Sequence, residues 1–218
     1  MLSKTGFYAA TLGDEMRIIY FLEDRAQEGF IKALVEKIAK EESIDIRSLN
    51  HDIRSARGGS RVIIAFRNFI RDTIKTKPSE IDLLIVAVDG NCKGHKDRVE
   101  QLEKCIKLNH PFKNRVIYAV PDPHIERWYI TDQKAFRDGI GLKRPPDMPP
   151  YKCKKDHYKK VLTQALRESN VSSLLGGVEY AEKIVDNIVD LDLLGRQNAG
   201  FHFFVQELKR VFRGKAKE

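Results

Sequence analysis
At 218 residues the chain has the length of one domain, with room for at most a small appendage. Its hydrophobic content of 42% is enough for a sizeable core, and no run of 18 apolar residues offers a membrane span. Lys and Arg outnumber Asp and Glu by 39 to 31, a formal net charge of +8 that favours an anionic partner, most commonly nucleic acid.

Residues 1–14 carry no long apolar signal core. The three cysteines, Cys92, Cys105 and Cys153, lack zinc-site spacing. Their odd number reads as reduced thiols in a cytoplasmic protein rather than as a disulfide framework. Residues 16–22 (MRIIYFL) form a short apolar run that ends at Glu23 and Asp24, which predicts a buried strand. Phe30, Ala33, Leu34 and Ile38 then recur at helical spacing over 26–39. A second strand is predicted over 44–49, and 54–59 (RSARGG) reads as a loop. Ser60 stands where it can cap a helix reaching about residue 75. Residues 81–88 (IDLLIVAV) are nearly continuous in apolar side chains, as a central parallel strand requires, and stop at Asp89-Gly90-Asn91. A polar helix over 96–108 and a strand over 116–120 follow. Asp122, with Pro123 in the first position, is predicted to cap a short helix over 124–131. The four prolines of 142–150 (LKRPPDMPP) exclude regular structure there. Helices are predicted over 158–167, 178–189 and 201–211, with a frayed basic tail over 213–218. Alternating strands and helices imply an α/β fold, a parallel sheet flanked by helices. Residues 1–141 make its α/β part; 142–218 make a Pro-rich loop and C-terminal helices packed on the same domain.

Ligand chemistry on a parallel sheet gathers beyond the carboxyl ends of its strands. Three predicted strands deliver acids to that edge: Glu23 from the first, Asp89 from the central one, and Glu126 just past the last. Carboxylates brought together repel unless a cation neutralises them. Mg²⁺ suits such a set, because it takes a few carboxylates and keeps several waters. The alternative is that each acid merely caps a helix, a role assigned to Asp24.

The run IIYFLEDRAQEGFIKALVEKI resembles the opening of a Toprim domain, in which a strand ends in a glutamate and a helix follows. The run IDLLIVAVDGN resembles that family's second motif, a strand ending in Asp-x-Asp, and PDPHIERWYITD is similar to a segment of small Toprim proteins related to OLD-family nucleases. The resemblance covers 16–132 and implies a Toprim-like, Rossmann-like fold with metal-dependent chemistry on phosphodiesters. By position, Glu23 is implied as metal ligand or general acid/base, Asp89 as metal ligand and Glu126 as the third acid, with Mg²⁺ or Mn²⁺ as cofactor. Asn91 stands at the family's second aspartate, so any ligand there is a neutral amide oxygen. The function implied is a Mg²⁺-dependent nuclease on DNA or RNA, of the kind found in bacterial phage-defence systems with a partner protein. The alternatives are a Toprim-like module that binds nucleic acid or a partner without catalysis, and a doubly wound domain that binds a nucleotide or phosphorylated small molecule at the same edge.

Two basic stretches qualify for phosphate contacts. Residues 47–77 carry a local balance of +6, with Arg54, Arg57 and Arg61 around Gly58-Gly59 as the expected nucleic-acid contacts. The second is Lys152, Lys154, Lys155, Lys159 and Lys160, read as an exposed helix face. His95 and His124 are candidates for a base or phosphate contact, against a solvated or capping role. Trp128 and Tyr129 can stack on a base, although core packing is the commoner role for such a pair. The glycines of VDGNCKG lack the Gly-Lys-Ser/Thr ending of a Walker loop.

Overall fold
A computed structural model describes residues 15–56, 61–73, 80–106, 110 and 113–216. Four parallel strands form one sheet: β1 (Met16–Leu22), β2 (Leu49–Ser55), β3 (Leu83–Ala87) and β4 (Val116–Ala119), in the order β2-β1-β3-β4. The two apolar runs take the centre. Every residue of β3 is buried, as are six of the seven in β1, because helices cover both faces. The edge strand β2 (LNHDIRS) is largely polar. It begins where the predicted second strand ends: the periodicity of 44–49 belongs to the approach, including a 3-10 turn at Ile46–Ser48.

Side-chain alternation divides the core. Ile18, Tyr20, Leu22, Leu83, Ile85 and Ala87 face one layer. Ile19, Phe21, Leu84 and Val86 face the other, where Val62, Phe66 and Ile70 of α2 (Val62–Thr73) and Leu102 of α3 (Gly94–Glu103) cover them. The first layer is deeper. It holds α1 (Arg25–Glu41), α4 (Glu126–Thr131), α5 (Gln133–Ile140), α6 (His157–Glu168), α7 (Ala181–Asn187), α8 (Leu191–Gln197) and α9 (Ala199–Lys215). Trp128 and Tyr129 are part of this core, fully buried against Phe30, and so are not available to a base.

The helical C-terminal portion shares the sheet's core. Phe201, Phe204, Val205, Leu208 and Phe212 of α9 repeat at helical spacing and are buried. At Gly200 the backbone passes so close to the Val120 carbonyl that a β-carbon would collide with it. The expected frayed tail is instead ordered through residue 215. Arg213 makes two 2.8 Å hydrogen bonds to the carboxylate of Glu42, anchoring the last turn of α9 to the end of α1. Helices α5 and α8 have no counterpart in the sequence reading: their short apolar patterns are capped by Asp132 and Asp190. Ser60, the proposed cap of α2, lies outside the described residues. Among the described residues no helix is long and apolar enough to cross a membrane.

Candidate functional site
Glu23 is the first residue past β1 and Asp89 the second past β3, so two neighbouring strands bring both acids to one edge. The two are joined directly: the Asp89 N–H donates to Glu23 Oε2 at 2.9 Å. The Asp89 carboxylate is held on both oxygens. Its Oδ1 accepts from Gln27 Nε2 at 3.0 Å and from the Ile125 N–H at 3.1 Å, and its Oδ2 lies 3.1 Å from His124 Nδ1. From the opposite face of the sheet, the buried Arg98 of α3 donates through Nε to the Asp89 carbonyl at 3.0 Å. Glu126 opens α4 beside His124 and is partly buried.

Burial pushes the Asp89 carboxyl above its usual range, against the opposing hydrogen bond and charge of His124. His124 is raised in turn, first by its hydrogen bond to Asp89 and further by the charges of Asp89, Glu126 and Glu23. Burial raises Glu126 as well, and Asp24 adds to the effect while Lys159 opposes it. Glu23, Asp24, Asp89, His124 and Glu126 line one cavity of about 460 Å³, together with Asn91, Cys92, Lys155, Asp156 and Lys159. Asp24 also does what capping predicts, accepting the N–H groups of Ala26 and Gln27 at the start of α1. A larger cavity of about 690 Å³ lies around Arg17 and Asp82, toward the amino ends of the strands. Its charged side chains are paired with one another, Arg17 with Asp52 and Glu80, so the carboxylate cavity is the better candidate for chemistry.

Gln27 is the site residue that sequence reasoning overlooked. It follows Glu23 by four positions, which places it in the first turn of α1 directly beneath the strand end. It is completely buried; its Oε1 accepts the Glu23 N–H at 2.8 Å while its Nε2 holds Asp89. Gln27→Ala leaves a buried carboxylate oxygen short of a donor, so an expected loss of about 1–3 kcal/mol follows. Urea denaturation measures it, and an unchanged midpoint would mean that the clamp carries no stability.

The loop after β3 departs from the expected arrangement. Asp122 does not cap α4, whose N-terminus has no side-chain cap. Its Oδ1 instead accepts the N–H groups of Cys92 and Gly94, at 3.0 and 3.4 Å, and its Oδ2 accepts the Tyr151 hydroxyl at 2.7 Å. Gly90 is required here, because a β-carbon would run into the Asp122 carboxylate. Asn91 takes a left-handed backbone (φ 49°), and its Nδ2 donates to the Asp89 carbonyl at 3.3 Å. Cys92 forms a disulfide with Cys153, contrary to the expectation of reduced thiols; the two lie 61 positions apart in the chain, and only the fold brings them together. Cys105 is free. The bond, the Tyr151 hydrogen bond and the Arg127 guanidinium 5.0 Å over the Tyr151 ring fasten the Pro-rich connection beside the cavity. That connection delivers Lys155 and Asp156 to the cavity rim. His95 lies elsewhere, stacked on Phe203 with its pKa lowered by burial.

Of the expected nucleic-acid contacts, Arg54 is exposed on the edge strand and paired with Asp52 at 2.9 Å. Arg61 is exposed just before α2, and Arg57 lies outside the described residues. Neither Arg54 nor Arg61 lines the carboxylate cavity.

Glu23, Asp89, Glu126 and the amide of Asn91 are hard oxygen donors, the chemistry that Mg²⁺ or Mn²⁺ takes. Among the described residues, however, no three His, Cys, Asp or Glu side chains stand grouped as a ready metal cage. Mg²⁺ is commonly held by only one or two carboxylates, with substrate phosphate oxygens and waters completing its shell. Comparisons with family models, curated proteins and solved structures give no match to this chain.

Proposed function
We propose that the chain is a Toprim-like nuclease, dependent on Mg²⁺ or Mn²⁺, that acts on nucleic acid. The observation that carries this reading is one cavity lined by Glu23 and Asp89, from two neighbouring strand ends, and by Glu126, from the first turn of α4, with Lys155 and Lys159 in the same lining. Asp89 and Glu126 would hold the ion, with Glu23 fixing the Asp89 backbone. A bound divalent ion supplies charge stabilisation on the transferring phosphoryl group and a more acidic water. Lys155 and Lys159 are suited to bind phosphate oxygens at the rim. A place in a phage-defence system with a partner protein is part of the same proposal and rests on the sequence resemblance alone; a place in the cytoplasm, expected from the cysteine count, is at odds with the Cys92–Cys153 disulfide.

A second reading has its own support. Both oxygens of Asp89 are engaged by protein donors, and Asn91 brings no charge, as in a module that binds nucleic acid without cutting it. Calorimetric titration with Mn²⁺, alongside cleavage assays on single- and double-stranded DNA and RNA, separates the two. The nuclease is expected to bind the ion and cut at least one substrate, and Asn91→Asp is expected to tighten ion binding by adding a charge at the cavity. A protein that binds nucleic acid, takes up no ion and cuts nothing is the binding module.

A further inference from the structure
We infer that the face of α6 bearing Lys159, Lys160 and Arg167 is the track along which a nucleic-acid strand lays its phosphates on the way to the carboxylate cavity. This rests on the nucleic-acid reading above and assigns its binding surface. Lys159, Lys160, Thr163, Gln164 and Arg167 recur at three- and four-residue intervals and so share one helix face. They line a cavity of about 620 Å³ that has Asp156 and Lys159 in common with the carboxylate cavity, so the two lie side by side. The opposite face of α6 is fixed in the core by Tyr158, Leu162, Ala165 and Leu166, which holds the basic stripe in position. From Lys159 to Arg167 the helix advances about 12 Å at 1.5 Å per residue. That matches the axial rise of roughly three to four phosphates of one duplex strand.

Ion pairing occupies part of the rival stretch, the arginines of 47–71, although Arg61 and Arg67 stand in no ion pair among the described residues. Arg47, Arg54 and Arg71 are each bound to a neighbouring aspartate, Asp45, Asp52 and Asp72, at 2.7–2.9 Å. Among the described residues, Lys155, Lys159, Lys160 and Arg167 stand in no ion pair, so their charge is available to phosphate. Each phosphate they neutralise releases counterions and steepens the salt dependence of binding.

The test uses the full chain in EDTA, with labelled single- and double-stranded DNA and RNA titrated across a series of salt concentrations. The triple variant Lys159→Ala/Lys160→Ala/Arg167→Ala is expected to lose at least tenfold in affinity near 0.1 M salt and about 2–3 from the log–log salt slope. Arg54→Ala/Arg61→Ala is expected to bind like the wild type. Lys159→Arg/Lys160→Arg is expected to retain binding, which separates lost charge from a damaged helix. An unchanged slope in the triple variant, a larger loss in the Arg54/Arg61 pair, or no binding by the wild type overturns the track. The same proteins assayed with Mg²⁺ and Mn²⁺ keep the two ideas apart. Cleavage by a triple variant that binds and cuts normally removes the track and leaves the nuclease, whereas binding through α6 without cleavage does the reverse.

Discussion
Asp89→Asn is expected to abolish divalent-ion-dependent cleavage while leaving the fold intact. The swap is nearly isosteric, and the partners of Asp89 tolerate it. Asn Oδ1 can accept from Gln27 Nε2 and from the Ile125 N–H as the carboxylate does, and the new amide can donate to a neutral His124 ring. What disappears is the negative charge at the centre of the cavity. Metal ions contribute several kcal/mol of transition-state charge stabilisation, and each ~1.4 kcal/mol is tenfold in rate, so a loss of at least about a hundredfold is expected. Nucleic-acid binding should hold or strengthen, since a like charge near the phosphates is gone. His124 provides an independent readout: its pKa is raised chiefly by the hydrogen bond to Asp89, so its NMR titration should move down in the variant. The stability profile follows with a definite sign. The raised His124 contributes stability below the ordinary histidine range that is lost as pH climbs through its folded value. The raised Asp89 adds a penalty that grows as pH climbs through the carboxylate range. Both slopes run the same way, so unfolding free energy in the variant should vary less with pH. Wild-type cleavage rates in Asp89→Asn would remove Asp89 from the chemistry.

The central strands and the strand-end positions of Glu23 and Asp89 were legible because they rest on local patterns. A five-to-seven-residue apolar run between polar segments needs no tertiary knowledge to read as a buried strand, and an acid at its end is placed by the chain itself. Thus Glu23 and Asp89 stand at adjacent strand ends, as expected. The second strand was misplaced because an edge strand such as LNHDIRS buries little and carries little periodicity. Gln27 was missed because a glutamine on a helix usually faces water; only the parallel pairing of β1 with β3 turns it toward Asp89. The weight given to Arg54, Arg57 and Arg61 came from counting charges, and a count does not show that Asp52 pairs with Arg54 on the same strand. Lys155 and Lys159 were read as an exposed face, and both are exposed; nothing local reveals that the Pro-rich connection returns to the sheet edge and sets them on the carboxylate cavity.

The same return explains the cysteines, and the second large effect is expected there. Cysteine counting favours reduced thiols, yet the fold sets Cys92 and Cys153 with Cα atoms 5.6 Å apart, within bridging reach. Cross-linking across 61 positions removes unfolded-state freedom worth on the order of 4 kcal/mol on the chain-entropy model, and 2–4 kcal/mol is typical. The connection has other anchors in the folded state: the Tyr151 hydroxyl on Asp122, the Arg127 guanidinium over the Tyr151 ring, and the Lys152 N–H donating to the Tyr158 hydroxyl at 3.1 Å. These hold the local geometry when the bond is cut, so the effect falls mainly on the unfolded chain. Both half-cystines are exposed, so a dithiol reductant can reach the bond. Reduction of the wild type, or Cys153→Ser, is therefore expected to lower unfolding free energy by about 2–4 kcal/mol. For a chain of this size that is roughly 4–16 °C in Tm. Thermal scans with and without dithiothreitol measure it, with Cys92→Ser/Cys153→Ser as the reference that reductant must not change. Identical Tm values for oxidised and reduced wild type would show that the anchors around Tyr151, and not the disulfide, fasten the connection to the site.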